Sequence, residues 1–441
     1  MRALFARLLW FPIKIWGLFR RRPRAALVTI LGVLVFCGIG GWRYSVYQWR
    51  EAQLALKEER LADARGRLGY CLTVWPYSSS VHLLAARTAR LSGDLETAET
   101  HLNRCLRLEG GPSQAVQLEF LLFRVQAGEL DEVAEPLFAT VETGHPEAPV
   151  ILQTLARAYM HRMRYKLASS CLSRWIDLRP DEVKAYHWRG WVLERLGNHQ
   201  GAAEDYRRAL ELDPDLIPVR LRLAEMLLED KKTPEAVPHL ERLYGQVPDN
   251  PQVRARLGTC RYLQGRTDEA RRLLESAAEQ LPRDPGVHVA LANLDLEDGR
   301  GEEAERRLRA LLELEPADTE ALFVLVSALR LQGRNDEATA ALKKYEQKRE
   351  VVERTNTLLS TVVDSPKAGA DDYAETGRLL IEIGRFKEGT YWLNRALERD
   401  PSNQQAHRAL ADYYERKGDP AEASAHRGRL RDPGRSARLT P

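Results

Sequence analysis

The stretch that decides the fold is residues 183–216, VKAYHWRGWVLERLGNHQGAAEDYRRALELDPDL. It contains two segments with apolar residues at helical spacing, and the second segment closes at Pro214. Prolines recur every 34 residues through the middle of the chain, at Pro180, Pro214, Pro248, Pro282 and Pro316. A period of 34 residues with two helices per period is typical of a helical solenoid.

Residues of one type recur at fixed positions when each repeat is counted from the equivalent of Val183 as position 1. In the quoted stretch the positions are filled by Tyr186 (4), Gly190 (8), Leu193 (11), Gly197 (15), Ala202 (20), Tyr206 (24), Ala209 (27), Leu212 (30) and Pro214 (32). Neighbouring repeats place Leu or Ala at the same positions, as in Leu155, Ala156, Ala168 and Leu172 or Leu291, Ala292, Ala304 and Leu308. This pattern resembles the tetratricopeptide repeat. The resemblance implies an all-α, right-handed superhelical solenoid of helix-turn-helix units.

Each position has a physical reason. Gly or Ala at positions 8 and 20 lets the two helices of a repeat cross closely. Positions 4, 7, 11, 24 and 27 are predicted to form apolar stripes that bury against the next repeat. A glycine near position 15 is predicted to take a positive φ and end the first helix, at Gly93, Gly128, Gly197, Gly265, Gly299, Gly333, Gly384 and Gly418. The proline at position 32 stops the second helix because it has no N–H to donate.

The pattern predicts about eleven repeats. Units one to nine cover residues 45–352, and the second helix of unit nine is expected to run on through residues 343–363. Residues 353–369 then form an inserted helix extension and loop, residues 370–430 form units ten and eleven, and residues 431–441 are a disordered tail. The length alone would suggest about three domains. The repeat overrides that estimate because every unit shares its core with its neighbours.

The start of the chain predicts a membrane anchor. Residues 25–42, AALVTILGVLVFCGIGGW, carry no charge and would span roughly 27 Å as a helix, close to the hydrocarbon core of a bilayer. Residues 1–24 form a basic, aromatic arm with seven cations and no acid, which favours an N-terminus in the cytoplasm and repeats on the extracytoplasmic side, periplasmic in a bacterium. A buried core helix and a cleaved signal peptide are the alternatives.

Charge disfavours one class of partner. The chain carries a net charge of +3, and the seven cations of the arm leave the remainder with four net negative charges. Hydrophobic residues make up 44% and charged residues 29%, which is typical of a folded helical protein. A mildly acidic solenoid with scattered cations is a poor binder of nucleic acid, so no nucleic-acid partner is predicted.

Neither the cysteines nor the known catalytic motifs point to an enzyme. Cys71, Cys105, Cys171 and Cys260 fall on interior helix positions without metal-ligand spacing, and Cys37 falls in the predicted membrane span. A disulfide between neighbouring repeats is the alternative for these thiols. The chain contains no Gly-Lys-Ser/Thr phosphate loop, no His-Glu-x-x-His and no Gly-x-Ser-x-Gly. No catalytic residue, cofactor, metal or small-molecule substrate is predicted.

The resemblance implies that positions 5, 9, 12 and 13 of each first helix line a concave groove that binds protein or peptide segments. The candidate binding residues are Arg87, Arg90, Gln153, Arg157, His161, His187, Trp191, Arg195, Glu225 and Glu229. Further groove positions hold Glu194, Thr259, Tyr262, Asn293, Glu297, Ser327 and Arg330. Trp191, flanked by His187 and Arg195, is the predicted anchor for an extended or acidic segment, because Trp and Arg dominate binding hot spots. The alternative is an ordinary solvated groove with Trp191 partly packed.

Two functions remain open from the sequence. The first is a membrane-anchored scaffold or adaptor that gathers proteins through its groove, in assembly of an envelope or secretion complex. The second is an accessory regulatory subunit of a single membrane enzyme or transporter. An unrecognised enzyme is a remote third class, and it would need chemistry in the inserted segment, whose Asp364, Asp371 and Asp372 are interpreted as linker charges.

Overall fold

The computed structural model describes residues 41–362, 365 and 368–431, and these residues form α-helices joined by short turns. The chain divides into two compact halves, Met1–Ala158 and Tyr159–Pro441. The first seven helices are α1 (residues 41–57), α2 (Leu61–Val74), α3 (Ser79–Leu91), α4 (Leu95–Glu109), α5 (Gln114–Ala127), α6 (Leu130–Glu142) and α7 (Ala148–His161).

The remaining helices belong to the C-terminal half. Those that carry the central repeats are α8 (Tyr165–Leu178), α9 (Val183–Arg195), α10 (His199–Leu212), α11 (Ile217–Glu229), α12 (Thr233–Gln246), α13 (Pro251–Leu263), α14 (Thr267–Ala278), α15 (Pro285–Glu297), α16 (Gly301–Leu314) and α17 (Thr319–Leu331). The last five are α18 (Asn335–Val362), α19 (Ala370–Glu382), α20 (Phe386–Arg399), α21 (Gln404–Lys417) and α22 (Pro420–Arg431). The prediction of an all-α helical-repeat solenoid is confirmed.

The predictions for the two ends of the chain fall largely on residues outside the described ones. The basic arm (1–24), nearly all of the predicted span (25–42) and nearly all of the predicted tail (431–441) lie outside the described residues. Among the residues that are described, no helix combines the length and the apolar character needed to cross a bilayer.

The helix ends follow the predicted Gly and Pro signals. All eight glycines predicted at position 15 have a positive φ, between 74° and 103°. Three repeats lack this glycine, and there Glu59, Met163 and Lys231 take the same left-handed conformation with φ between 52° and 59°. Helices α8, α10, α12 and α16 end two residues before the proline at position 32. Position 15 therefore imposes its backbone conformation whatever residue occupies it.

The two helices of a repeat approach most closely at position 8. A Cβ built on Gly190 would lie 2.6 Å from the ring of Tyr206, and one on Gly258 would lie 2.8 Å from Leu274. Tyr206 and Leu274 occupy position 24, so the bulky residue at position 24 covers the small residue at position 8. In unit ten a Cβ on Gly377 would lie 2.7 Å from Leu393 at position 24 and also 2.7 Å from the carbonyl oxygen of Gly389 at position 20, so the backbone is approached as well.

Position 4 is a buried apolar position in part of the repeats, as Leu152 and Leu322 show, but a polar group stands there in others. In four repeats the side chain at position 4 bonds back to the carbonyl oxygen of the proline that closes the preceding repeat, a contact that we call the prolyl strap. The straps are His82 to Pro76 (3.1 Å), Tyr186 to Pro180 (3.2 Å), Arg220 to Pro214 (2.7 Å) and His407 to Pro401 (3.1 Å). A polar tip at position 4 thus donates to a carbonyl oxygen in the turn, beyond the end of the preceding helix.

Buried charges also replace predicted apolar residues at position 11. Asp295 is 2% exposed and accepts hydrogen bonds from Arg271 (2.8 Å) and Arg300 (2.9 Å). Burial raises the pKa of Asp295, but the hydrogen bonds from Arg300 and Arg271 outweigh it and hold the pKa below its usual value. Arg261, at the same position of another repeat, contacts Glu241 at 2.7 Å. These ion pairs join the second helix of one repeat to the first helix of its neighbour.

The histidine straps fix the protonation of two buried rings. His407 donates from Nε2 to the Pro401 carbonyl oxygen, so its Nδ1 must accept from Nδ1–H of His426, 2.9 Å away. Burial lowers the pKa of both rings, and the neighbouring His407 and Arg429 help to bring the pKa of His426 to about 4. The pair joins α21 to α22 in its neutral form, and protonation of His407 would set two N–H groups against each other.

We expect Gly190→Ala to destabilise its repeat by about 1–3 kcal/mol, because the new methyl group overlaps the ring of Tyr206. Amide hydrogen exchange in α9 and α10 measures the effect locally. Gly245→Ala is the matched control, because its Cβ meets no atom within 4 Å and Ala favours the helix. Equal protection in the two variants would contradict the close approach at position 8.

Acidification should open α22. A histidine titrates near pH 6.5 in the unfolded chain, whereas His426 titrates near pH 4 in the fold. The stabilisation is therefore complete above about pH 6.5 and is lost as the pH falls towards 4, by up to ~1.4 kcal/mol per pH unit. Hydrogen exchange of α22 measures this loss. His426→Gln should reduce the pH dependence, leaving the part due to His407, whose pKa burial also lowers. Substitution of the exposed His161 by Gln should leave it unchanged.

Candidate functional site

The candidate binding residues of the N-terminal half are largely held in ion pairs. Arg90 is 1% exposed, and its Nε lies 2.5 Å from the buried carboxylate of Glu119. Arg87 bonds Glu119 at 3.1 Å and Glu147 at 3.2 Å. The Nη1 and Nη2 atoms of Arg90 are buried without a partner among the described residues. Arg90 therefore holds α3 against α5 and is not displayed to a partner, while Arg87 keeps an exposed edge.

Helix α7 carries the next three candidate residues. Gln153 is half-buried, and Arg157 and His161 are exposed. Their spacing of four residues sets them along one face of the helix. These side chains stay predicted contact residues.

Trp191 lies at the centre of an aromatic and cationic cluster on α9. Its ring is half-buried and meets Tyr165 edge to face, with 5.8 Å between the ring centroids. The guanidinium carbon of Arg195 lies 4.9 Å from the Trp191 ring centroid, a cation–π contact. His187 is half-buried, and burial lowers its pKa. Trp191 is thus partly packed and partly accessible.

A contact between distant repeats closes over this cluster. Arg195 Nη1 lies 3.6 Å from Glu388 Oε1, and the Tyr391 hydroxyl donates to the Arg162 carbonyl oxygen at 2.5 Å, across 229 residues of sequence. We call these two contacts the clasp. Burial raises the pKa of the Tyr391 hydroxyl, which agrees with its packed position. The clasp ties α20 to the start of α8 and the end of α9.

Acidic groove positions belong to a ladder of ion pairs. Arg222 contacts Glu194 at 2.6 Å, and both Glu225 and Glu229 at 3.2 Å. Arg256 continues the ladder from Glu225 (2.9 Å) to Asp284 (3.1 Å). Glu225 and Glu229 are consequently neutralised by cations of their own or the next repeat. The ladder sets the spacing of the first helices α9, α11 and α13.

Large apolar side chains are exposed at other groove positions. Leu263 and Leu331, both at position 13, are 56% and 53% exposed, and Phe323, at position 5, is 53% exposed. The candidate residues named from the sequence did not include them, because mainly polar and charged side chains were chosen at the groove positions. The signal was available, since position 13 lies outside the predicted apolar stripes.

The chemistry of the described residues is that of a contact surface. No group of three or more His, Cys, Asp or Glu side chains among them is arranged to hold a metal ion. Cys71, Cys105, Cys171 and Cys260 are buried free thiols, as predicted for interior positions. Burial raises the pKa of Cys260 to about 11 and of Cys171 to about 12, so both remain protonated and unreactive.

Comparison with known proteins gives the same family in both halves. Family models described as tetratricopeptide repeat match residues 79–104, 183–216, 227–294, 289–350 and 375–426. "Protein NPGR2" of Arabidopsis thaliana is 36% identical over 75 residues, which is 17% of this chain and 10% of that protein. The chain thus spans about a tenth of the length of this relative.

Solved structures are similar to this chain at low identity. A tetratricopeptide repeat protein from Parabacteroides merdae is 15% identical with a TM-score of 0.40, covering 60% of this chain and 98% of that one. PilW, a type IV pilus biogenesis factor, is 19% identical with a TM-score of 0.39, covering 44% of this chain and 90% of that one. Neither similarity carries information about a partner. The family matches, together with the residues at positions 8, 15 and 32, show that the chain is built from tetratricopeptide repeats.

Proposed function

We propose that this chain is a membrane-anchored scaffold that binds protein segments along the groove positions of its first helices. Residues 25–42 are the anchor, the N-terminus is cytoplasmic, and the repeats lie on the extracytoplasmic side. The role is to gather proteins into an envelope or secretion complex. The anchor is supported by the 18 uncharged residues and by the seven cations that precede them.

The observation that carries the proposal is the exposure of Leu263, Phe323 and Leu331 at groove positions of α13 and α17. Exposed apolar side chains surrounded by polar ones are typical of protein-binding surfaces. The ladder from Glu194 to Asp284 supplies the polar surroundings and fixes the spacing between first helices. A segment that lies across these helices would bury the leucines without unpairing a charge.

The clasp bears on how a partner reaches Trp191. The guanidinium of Arg195 covers one face of the indole and is itself held by Glu388. A partner side chain that stacks on that face has to displace Arg195. Because the Arg195–Glu388 contact is single and partly exposed, its opening costs little, about 0–1 kcal/mol.

Capture of partners should depend on the exposed leucines. The amount of partner protein recovered is measured by crosslinking the full chain in native membranes and identifying the captured proteins. Leu263→Ser combined with Leu331→Ser should lower recovery about tenfold, because each lost apolar contact in a hot spot costs more than 1 kcal/mol. Leu167→Ser with Leu178→Ser on α8 is the matched control, since these leucines are 45% and 50% exposed on a second helix.

Equal recovery of partner proteins by both double variants would contradict binding at the groove positions. Several co-captured proteins support the scaffold, and one stoichiometric partner supports the accessory-subunit alternative instead. Trp191→Ala should also lower recovery, but it removes the contact with Tyr165, so its fold has to be checked by circular dichroism.

The orientation has its own test. A cysteine introduced at the exposed Tyr77 should react with a membrane-impermeant maleimide in intact cells, or in spheroplasts if an outer membrane intervenes. The native Cys71, Cys105, Cys171 and Cys260 are buried, so the unmodified chain gives the background. Labelling that appears only after lysis would contradict extracytoplasmic repeats.

A further inference from the structure

A cavity of about 1010 Å³ lies in the C-terminal half, apart from the Trp191 cluster. One wall is the turn at residues 314–317 that joins α16 to α17, with Arg283 and Lys348 beside it. The opposite wall is formed by α19, the turn before α20, and α21. The volume is at the upper end of the range for ligand pockets, about 300–1,000 Å³.

The cavity has an apolar part. Leu314 is 42% exposed and Phe386 is 49% exposed, and both line the cavity. The ring of Phe386 is supported by Tyr413, with 5.8 Å between the ring centroids. Ile383, half-buried, completes this part of the lining. An exposed phenylalanine ring that packs on Tyr413 and lies beside a leucine offers an apolar surface on which a bulky apolar side chain can pack.

Cations without carboxylate partners surround the apolar part. Five cationic and three acidic side chains line the cavity. Arg378 is paired with Glu375 and Glu382. The other four cations make no ion pair within 4.0 Å among the described residues, and they are Arg283, Lys348, Arg408 and Arg416. Arg416 bonds only the backbone oxygen of Asp412.

This arrangement differs from that of the central repeats. There the ladder pairs Arg222 and Arg256, whereas the groove residues Arg157 and Arg330 are exposed but lie far apart in sequence. The chain outside its N-terminal arm carries net negative charge, whereas the cavity lining carries two net positive charges. Arg408 and Arg416 occupy groove positions 5 and 13 of the last repeat. The cavity therefore gathers four cations that make no ion pair among the described residues, and two of them stand at groove positions.

We propose that this cavity binds an acidic peptide segment that carries a bulky apolar side chain. The apolar side chain packs against Phe386 and Leu314, and flanking carboxylates pair with Arg408, Arg416 and Lys348. This inference rests on the proposed function and names the class of segment that one part of the groove takes. Charge complementarity of this kind steers encounter and selects the partner.

A peptide fits these walls better than a nucleic acid does. Glu315 and Asp412 stand among the cations, make no side-chain ion pair within the described part of the chain, and repel a uniformly charged phosphate backbone. Single-stranded nucleic acid also needs successive aromatic platforms for its bases, and Phe386 is the one aromatic side chain among the described residues that line the cavity. A segment with spaced carboxylates can avoid both acids.

A random peptide library displayed on phage and selected against the full chain in detergent micelles tests the proposal. Selected peptides should be enriched in Asp and Glu around Phe, Leu or Trp. Their binding, followed by fluorescence anisotropy, should weaken about tenfold or more for Arg408→Glu combined with Arg416→Glu. Arg306→Glu with Arg399→Glu is the control, because it makes the same charge change at exposed positions of second helices. Phe386→Ser should weaken binding independently of charge.

Four outcomes would overturn the cavity as an acidic-peptide site. The first is that the selected peptides carry no excess of Asp and Glu, and the second is that they bind the Arg408/Arg416 variant as well as the parent. The third is that an oligo-dT probe binds through the same two arginines and competes with the peptides. The fourth is that acidic peptides bind through Leu263 and Leu331 but not through the arginines. This result would contradict the cavity site but not the proposed scaffold function. The proposed scaffold function is tested separately by the crosslinking in native membranes, which does not use these peptides.

Discussion

The structure depends on how closely the two helices of a repeat approach at position 8. Gly190 and Gly258 leave no room for a Cβ, because Tyr206 and Leu274 from the second helix fill that space. Once each pair is locked in this way, its outer surfaces have a fixed shape. The prolyl straps then join one pair to the turn before it, and buried ions such as Asp295 join it to the pair beside it. The groove positions are a consequence of this stacking.

Periodic features of the fold could be predicted from the sequence, and features that break the period could not. The glycines at position 15 and the prolines at position 32 act on the local backbone, so their effect is readable residue by residue. Tyr186 is buried as predicted, but the bond from its hydroxyl to Pro180 was not predicted. Asp295 stands at position 11, which was predicted to be apolar, and its arginine partners come from the preceding helix α14 and from the following turn. The clasp between Tyr391 and Arg162 joins residues that no local pattern relates.

The candidate binding residues stay predictions, and the structure shows which of them already have partners. Glu225 and Arg90 are each held by a charge from a neighbouring helix, Arg256 and Glu119. The side chains left for a partner are the apolar residues at the same positions and the unpaired cations of the last repeat. A one-dimensional pattern identifies which residues share a face. It does not show which of them already have partners, because pairing depends on distances between repeats.

Photo-crosslinking from single positions tests most directly whether partners lie on the first helices. A benzophenone amino acid is placed at Leu263 or Phe323, and in a separate chain at Leu178 of a second helix, each in the full chain in native membranes. The account predicts that the same partner protein is crosslinked from Leu263 and from Phe323 but not from Leu178. Crosslinks from Leu178 with none from the two groove positions would contradict it.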